Sequence, residues 1–590
     1  MLKSNTIQIK MWREKITQII SEETDTSTQE FKVEIPENSN FGDYSSNIAM
    51  QVASSAGKVK KNPREVAEEI VVKLKKNKEL QKFIEKIEVA NPGFINFWLS
   101  KDILLNNMIQ IVSETGDYQK RNIESGKTVV IDYSSPNIAK SFSIGHLRST
   151  IIGQALINIY QNLGYKTIGD NHLGDWGTQF GKLLYMIDMK KLGKKNLNIE
   201  KLEEVYIQFH EEASDPKKTK EMEDEARKWF KKLEDGDNQA RELWKLCVDV
   251  SMEEFEKIYK ILGVTFDYQY GESFYESEMK LLENDNNVQK HLTLGEDGKS
   301  KIINLEKEGI PTPLMFKKSD GGTTYATRDL ACLRFRSRKW DPDMVIYEVG
   351  AEQTLHFQQV FAAARILGLV SNKVILHHTK HGLYLSPDGK KFRTRKGGVV
   401  KLEDILEDAI KRAREIIEKS ETSRGIKGGE IKEVSEMVGI GAVKYFDLMH
   451  SVTSDIVFDW EKIMNLEGNS GPYLQYTFAR IQSVLQKAKT KIKKPTINEK
   501  DVKKINPEEL MLLRTLAQFS GVIFDAAKNY SPNILCGYLF NLAQKFNNFY
   551  NQHKIIGNDN EKFRIILSGA VGQTIKKSLT MLGIKTPARM

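Results

Sequence analysis

"KTVVIDYSSPNIAKSFSIGHLRSTIIGQALINIYQNLGYKTIGD", residues 127–170, changes period twice. KTVVIDYSS is a short β-branched run. HLRSTIIGQALINIYQNLGY has helical spacing and closes at Gly164, where a left-handed residue suits a helix end. KTIGDNHLGDWG then reads as a second strand. A strand–helix–strand unit predicts a parallel pair with a right-handed crossover, and hence an open α/β sheet. Between the first strand and the helix stand Ser134, Ser135, Pro136, Asn137, Lys140, Ser143, Gly145 and His146, too polar for ordinary core. Ligands of such sheets bind at the carboxyl ends of strands, where helix N-termini present backbone N–H groups. Gly145 lets backbone approach a phosphate closely, His146 offers a donor and Lys140 a positive charge. A lone Gly-His before a helix is ordinarily just a turn, so the wider chain must decide.

Downstream, MVIYEVG, the helix TLHFQQVFAAARILG and KVILHHTKHG repeat the α/β texture. Lys190 to about Glu283 is charged and mostly helical, which predicts an insertion in the sheet domain. Upstream, residues 1–121 read as a small α+β domain. FKVEIP and GFINFWLS alternate like strands, and NPREVAEEIVVKLKKN is a helix with Asn62 as N-cap and Pro63 in its first turn. From about Glu403 the pattern is helical, with clear apolar faces in EMVGIGAVKYFDLM, YLQYTFARIQSVLQKA and LFNLAQKFNNFYNQ. The expected units are 1–121, 122–415 with an insertion near 190–283, and 416–590.

At 590 residues the chain is too long for one core and predicts about three or four domains. A net charge of +9 permits an anionic partner without demanding one. Cys247, Cys332 and Cys536 form neither a CxxC pair nor a zinc spacing, which suits a reducing compartment. No apolar run is expected to reach the roughly 20 residues of a membrane span, and the charged N-terminus does not read as a secretory signal.

A second basic cluster, SPDGKKFRTRKGG (386–398), follows a predicted strand and precedes the helix KLEDILEDAIKRAREIIEK. Its composition suits a mobile loop closing on a polyphosphate, although an exposed basic turn has the same composition. TLGEDGKS (293–300) fails as a phosphate loop. Thr293 stands where glycine is needed, and a strand follows instead of a helix, which predicts a hairpin turn.

Taken together, the blocks resemble the arginyl-tRNA synthetases, class I enzymes on a Rossmann-like sheet. SSPNIAKSFSIGHLRSTIIG looks like their signature. NFGDYSSNIAM, HLGDWGTQFGKL, GESFYES, TTYATRDLA, GAEQTLHFQQV, NSGPYLQYTFARI and the terminal TPARM agree with it in order. The resemblance implies a class I catalytic core with a helical insertion, an N-terminal α+β domain for the tRNA elbow and an all-α anticodon-binding domain. It implies activation of L-arginine by ATP and transfer to tRNA(Arg), with tRNA required for activation. ATP would act with Mg²⁺, without zinc or an organic prosthetic group. A cytoplasmic monomer, not bound to membrane, is expected.

Residue by residue, the HIGH-like motif is Ser143-Ile144-Gly145-His146, with Gly145 and His146 meeting ATP phosphates. The KMSKS-like motif is Lys391-Phe392-Arg393-Thr394-Arg395, of which Lys391, Arg393 and Arg395 are the basic members. Gly350, Glu352 and His356 match the element near the adenosine. Asp329 and Glu272 would take the guanidinium, because only a carboxylate matches its fork with charge, and Tyr325 would pack on it. Ser135, Asn137 and Gln353 match positions that hold the α-amino and carboxylate groups. Phe546, Asn547, Phe549 and Tyr550 share one helix, and Met590 ends the chain. Core packing accounts for part of that aromatic set. Phe546, Asn547, Tyr550 and Met590 are the candidates for anticodon contact.

Two departures stand out. Ser143 replaces the first histidine of the motif, and Ser141 replaces the usual proline before its aromatic residue. Thr394 replaces the second lysine of the other motif, and Lys140 is the lysine that arginyl enzymes carry instead. Two rivals remain, a tRNA-binding relative without catalysis and another class I nucleotidyl transferase. The intact guanidinium acids oppose the first, and the anticodon-like helices with TPARM oppose the second.

Overall fold

The computed structural model describes residues 12–36, 38–55, 62–114, 124–386, 388–390, 392, 400–419, 428–488, 502 and 504–590. Its centre is a four-stranded parallel sheet. Strand β1 (Thr128–Asp132) leads through the signature turn into helix α1 (Ile144–Leu163), which returns to β2 (Lys166–Asp170). Gly164 closes α1 at φ +94°, as its place in the sequence predicts. After the insertion come helix α2 (Tyr325–Trp340), β3 (Met344–Tyr347), α3 (Thr354–Ile366) and β4 (Ile375–His378). The strand order is β4-β3-β1-β2. β1 pairs in parallel with β2 on one side and β3 on the other, from Thr128 opposite Lys166 to Asp132 opposite both Asp170 and Tyr347. The order reverses between β1 and β3, so a crevice opens there at the strands' carboxyl ends.

The insertion is helical, as expected, with Ile199–Glu212, Thr219–Glu234 and Asn238–Leu262 as its main elements. Within the Thr293–Ser300 segment, residues 295–300 form the turn of an antiparallel pair, Leu292–Leu294 with Lys301–Ile303. In the N-terminal unit, Asn62 Oδ1 caps helix Pro63–Leu74, and an antiparallel sheet runs in the order Val33–Glu34, Tyr44–Ser46, Phe94–Leu99, Ile84–Ala90. Sequence alternation did not reveal Ile84–Ala90, because a register shift between Ile84 and Lys86 breaks its period of two.

The carboxyl end is a helical bundle built on Gly428–Leu448, Gly471–Lys487, Pro507–Lys528, Asn533–Gln552 and Glu561–Met581. Among the described residues one helix, Pro507–Lys528, is long and apolar enough by length and composition to cross a membrane, contrary to the expectation of no such run. Its Leu512, Leu513, Leu516, Phe519 and Ile523 are instead buried in the bundle. The N-terminal unit docks on the same helix. Arg13 Nη1 and Nη2 meet Asp525 Oδ2 and Oδ1 at 2.6 and 2.7 Å, the bidentate geometry that suits a guanidinium.

Candidate active site

The turn between β1 and α1 is held in an unusual backbone. Ser134, Ser135 and Ala139 all have left-handed φ values, +73°, +46° and +63°, which cost non-glycine residues energy unless side chains compensate. They do here. Ser134 N–H donates to Ser149 Oγ at 2.9 Å, and Ser149 donates on to the Glu348 carbonyl at 2.6 Å, which ties β1, α1 and β3 together. Ser135 N–H donates to Asn171 Oδ1 at 3.0 Å, and Ser135 Oγ donates to Asp132 Oδ1 at 2.8 Å. At the helix start, Ser143 is the N-cap in extended conformation. Its N–H donates to His146 Nδ1 at 3.0 Å, and its Oγ lies 3.1 Å from the same nitrogen. Serine thus caps the helix and orients His146, leaving Gly145 exposed at the N-terminus.

The ends of β1 and β2 each present a buried aspartate, Asp132 and Asp170. Arg336 from α2 is fully buried between them. Its Nη2 lies 2.7 Å from Asp132 Oδ2 and 2.8 Å from Asp170 Oδ2. Removing one member of such a triad leaves an uncompensated buried charge, at a cost of about 3–5 kcal/mol. Sequence reasoning missed this triad. The available signal was an arginine on the face of α2 that also carries Asp329, in line with two strand-terminal aspartates.

Tyr325, Arg328 and Asp329 open α2 on one face, three and four residues apart. Thr324 caps the helix, accepting from Thr327 N–H. Glu272 approaches from the GES loop, which a buried Asp175 holds. Asp175 accepts Ser273 N–H at 2.8 Å and Ser273 Oγ–H at 2.6 Å. A Cβ on Gly271 would lie 2.2 Å from Asp175 Oδ2, so the loop packs this closely only with glycine there. Arg328 Nη1 lies 3.0 Å from Glu272 Oε2, and the Arg328 guanidinium sits 5.2 Å from the Tyr325 ring centroid. Burial pushes the Glu272 carboxyl up to about 7, against the pull of Arg328 and His172.

Asp329 Oδ2 accepts from His356 Nε2 at 2.5 Å. Burial opposes charge on His356, but the bonded carboxylate outweighs it and raises the imidazole above its ordinary value. His356, expected beside the adenosine, therefore stands against the acid expected to take the guanidinium. The physical reason is that α3 begins with its first turn facing the start of α2, so residue 356 reaches across to residue 329.

One cavity of about 1220 Å³ gathers these groups. Lys140, Ser143, Gly145 and His146 line it together with Ser135, Asn137, Glu272, Tyr325, Asp329, Gly350, Glu352, Gln353 and His356. Residues over 200 positions apart in sequence thus share one wall. Lys391, Arg393 and Arg395 lie outside the described residues, as does Thr394; of the neighbouring described residues, Phe392, Val400 and Lys401 line the cavity. Glu348, which the sequence reading also missed, is buried in the wall and accepts from His381 Nδ1 at 2.9 Å.

The proposed anticodon face needs correction at two positions. Phe546 is fully buried and Met590 is 7% exposed, packed in the core near Ile417 and Val438. Neither is available to stack on a base. Phe549 is buried as well, so two of the four helix residues serve packing. Tyr550 is exposed, with Arg480 5.0 Å from its ring, and Asn547 Oδ1 accepts from Arg480 at 2.6 Å.

Comparison with known proteins covers nearly the whole chain. Residues 107–460 match the family model for the class I (R) tRNA synthetase catalytic domain. Residues 474–590 match the DALR anticodon binding domain, and residues 10–99 the arginyl tRNA synthetase N terminal domain. The chain is 41% identical over 561 residues to an arginine–tRNA ligase of Fusobacterium nucleatum, covering 94% of each chain. It is 38% identical to that of Halothermothrix orenii, covering 98% of this chain and 100% of the relative. In structure it is similar to the arginyl-tRNA synthetase of Plasmodium falciparum, with a TM-score of 0.84, 26% identity, and coverage of 98% and 99%.

Proposed function

The chain belongs to the arginyl-tRNA synthetases and is an arginine–tRNA ligase, and from that premise we propose how its own residues divide the work. The observation that carries the proposal is the single cavity, in which the N-terminus of α1 and the carboxylates Glu272 and Asp329 share one wall.

Arginine binds with its guanidinium toward Glu272 and Asp329 and against Tyr325. Asn137, Ser135 and Gln353 receive its α-amino and carboxylate groups. ATP, as its Mg²⁺ complex, lies with its phosphates at the N-terminus of α1, near Gly145, His146, Ser143 and Lys140, and its adenosine toward Gly350 and Glu352. The arginine carboxylate oxygen attacks the α-phosphorus, and the bond to the bridging oxygen of pyrophosphate breaks, giving arginyl-adenylate and pyrophosphate. A hydroxyl at the tRNA 3′ end then attacks the adenylate carbonyl and AMP leaves. No strong base is required. Orientation and neutralisation of charge developing on the phosphate supply the acceleration. Lys391, Arg393 and Arg395, the basic members of the second motif, add further positive charge.

The same proposal covers an N-terminal unit (1–121) on the tRNA elbow, a catalytic unit (122–415) and a helical unit (416–590) on the anticodon, where Tyr550 and Asn547 are the contacts. The protein works in the cytoplasm as a monomer, and activation requires bound tRNA. Arginine-dependent exchange of pyrophosphate into ATP, measured with and without tRNA(Arg), tests the reading. Exchange only with tRNA present is expected. Exchange driven equally by lysine or citrulline would overturn the guanidinium assignment.

A further inference from the structure

The insertion helix Ile199–Glu212 turns one face toward the signature turn. Glu203 Oε1 accepts Ser141 N–H at 2.6 Å, and Oε2 accepts Ser141 Oγ–H at 2.8 Å, so one carboxylate takes both donors of one residue. Three residues earlier on the same face, Glu200 Oε1 accepts from Lys401 Nζ at 2.8 Å. Lys401 lies beside Ser143 in an antiparallel bridge. Ile144 N–H donates to the Val400 carbonyl at 3.1 Å, and Leu402 N–H to the Phe142 carbonyl at 3.0 Å. The helix therefore grips two paired segments at once, the one that enters α1 and the one that follows residues 393–399.

Lys140 stands between two such grips. On its N-terminal side, Ala139 N–H donates to Ser251 Oγ at 2.9 Å, from the insertion helix Asn238–Leu262. On its C-terminal side is Ser141, held by Glu203. The Lys140 side chain itself is exposed to the cavity. Energy distinguishes the two carboxylates. The Glu200–Lys401 pair is 55% and 36% exposed, and a surface pair of that kind adds little stability. Glu203 makes two charge-assisted bonds to a buried serine, which are the stronger kind. A carboxylate on the wall of a cavity that receives a polyphosphate would repel it. Engaging both oxygens with the turn's own donors offsets that repulsion and fixes the turn.

We propose that Glu203 is a positioning residue for adenylate formation: it fixes the backbone at Ser141 so that Lys140 projects at the reacting phosphate. This rests on the reading above that Lys140 serves ATP. The insertion is then the outer half of the catalytic turn.

The test uses the full chain in arginine-dependent pyrophosphate exchange with tRNA(Arg), comparing E203Q, S141A, K140M and E203Q/K140M. Glutamine keeps the shape and loses one of the two acceptors. E203Q should lower kcat about tenfold or more, as a small displacement of a reacting group does. Its arginine KM should change by less than about twofold, because uniform binding is untouched. S141A keeps the N–H and should lose less. E203Q/K140M should be no slower than K140M alone, because a misplaced lysine and an absent one are the same defect. Losses that multiply in the double variant, or parental kcat in E203Q, would overturn the proposal. A fall in melting temperature with kcat and arginine KM damaged together would mark Glu203 as merely structural and overturn it too. If the parent chain itself shows no arginine-dependent exchange, the functional reading fails first, which the parent control reveals on its own.

Discussion

Arg328 holds Glu272 with a guanidinium: its Nη1 lies 3.0 Å from Glu272 Oε2, and its plane neighbours the Tyr325 ring. The chain thus presents to its own pocket acid the same chemical group that the substrate carries. Both residues are largely buried, with side chains 9% and 13% exposed, so Arg328, with His172, offsets the burial that disfavours charge on the carboxylate.

The pH dependence of arginine binding follows. The Glu272 carboxyl is pushed up to about 7, first by burial, with Arg328 opposing. Cationic arginine needs the ionised form, so raising pH through that value strengthens binding. KM for arginine should fall about tenfold from about pH 6 to about pH 8 and then level off. In Arg328→Met the same profile should move to higher pH, because the group that pulls the value down is gone. Steady-state KM against pH in both proteins measures it, and a flat parental profile counts against the assignment of Glu272.

Asp329→Asn keeps the shape of the pocket but removes the charge proposed to face the guanidinium. It also leaves His356 bonded to an amide instead of a carboxylate. Loss of kcat/KM for arginine by about 2–5 kcal/mol is expected, with KM for ATP nearly unchanged. Equal losses for both substrates would move Asp329 out of the arginine subsite.

Gly174 is shaped around Asn137. Their backbones pair in an isolated bridge, and a Cβ on Gly174 would stand 2.2 Å from Asn137 Oδ1. In Gly174→Ala the amide must rotate away, and the Asn137 backbone must give slightly, because its Cα would stand 3.3 Å from the new Cβ. Arginine kcat/KM should drop about tenfold, ~1.4 kcal/mol, with little change in thermal stability. Unchanged kinetics would show that Asn137 does not meet the substrate.

Lys444 joins the catalytic unit to the C-terminal helices. It is fully buried, and its Nζ donates to the Leu262 carbonyl at 2.7 Å and the Gly583 carbonyl at 2.6 Å. Burial, with Lys585 adding to it, lowers its pKa to about 7. Between that value and the ordinary lysine range the unfolded chain binds the extra proton, so stability should rise with pH across that window. Lys444→Met should flatten the rise, by up to about 1.4 kcal/mol per pH unit. Denaturant unfolding at pH values from about 7 to about 10 reads the slope.

The parallel sheet and the helix α1 were legible from residues 127–170, because strand and helix periods are local properties and Gly164 marks a helix end without help from distant residues. The candidate site was legible where whole motifs survive: Lys140, His146, Glu272, Tyr325 and Asp329 do line one cavity. Ile84–Ala90 was not legible because a bulge destroys its period. The burial of Phe546 was not legible either, because which face of a helix is covered depends on what packs there, nor was that of Met590, which is covered by residues distant in sequence such as Ile417 and Val438.

By itself, then, the sequence determined most of the secondary elements, the order of the units and the chemical types available to the site. Only the tertiary structure decided the partnerships: Arg336 between Asp132 and Asp170, Arg328 on Glu272, His356 on Asp329, and Glu203 on Ser141. Each joins residues from different elements, separated by 27 to 204 positions. Hydrogen bonds and ion pairs act over a few ångströms, whereas sequence periodicity reports only on neighbours within a turn or a pleat. The packing of α2, α3 and the insertion against the strand ends brings those groups within range.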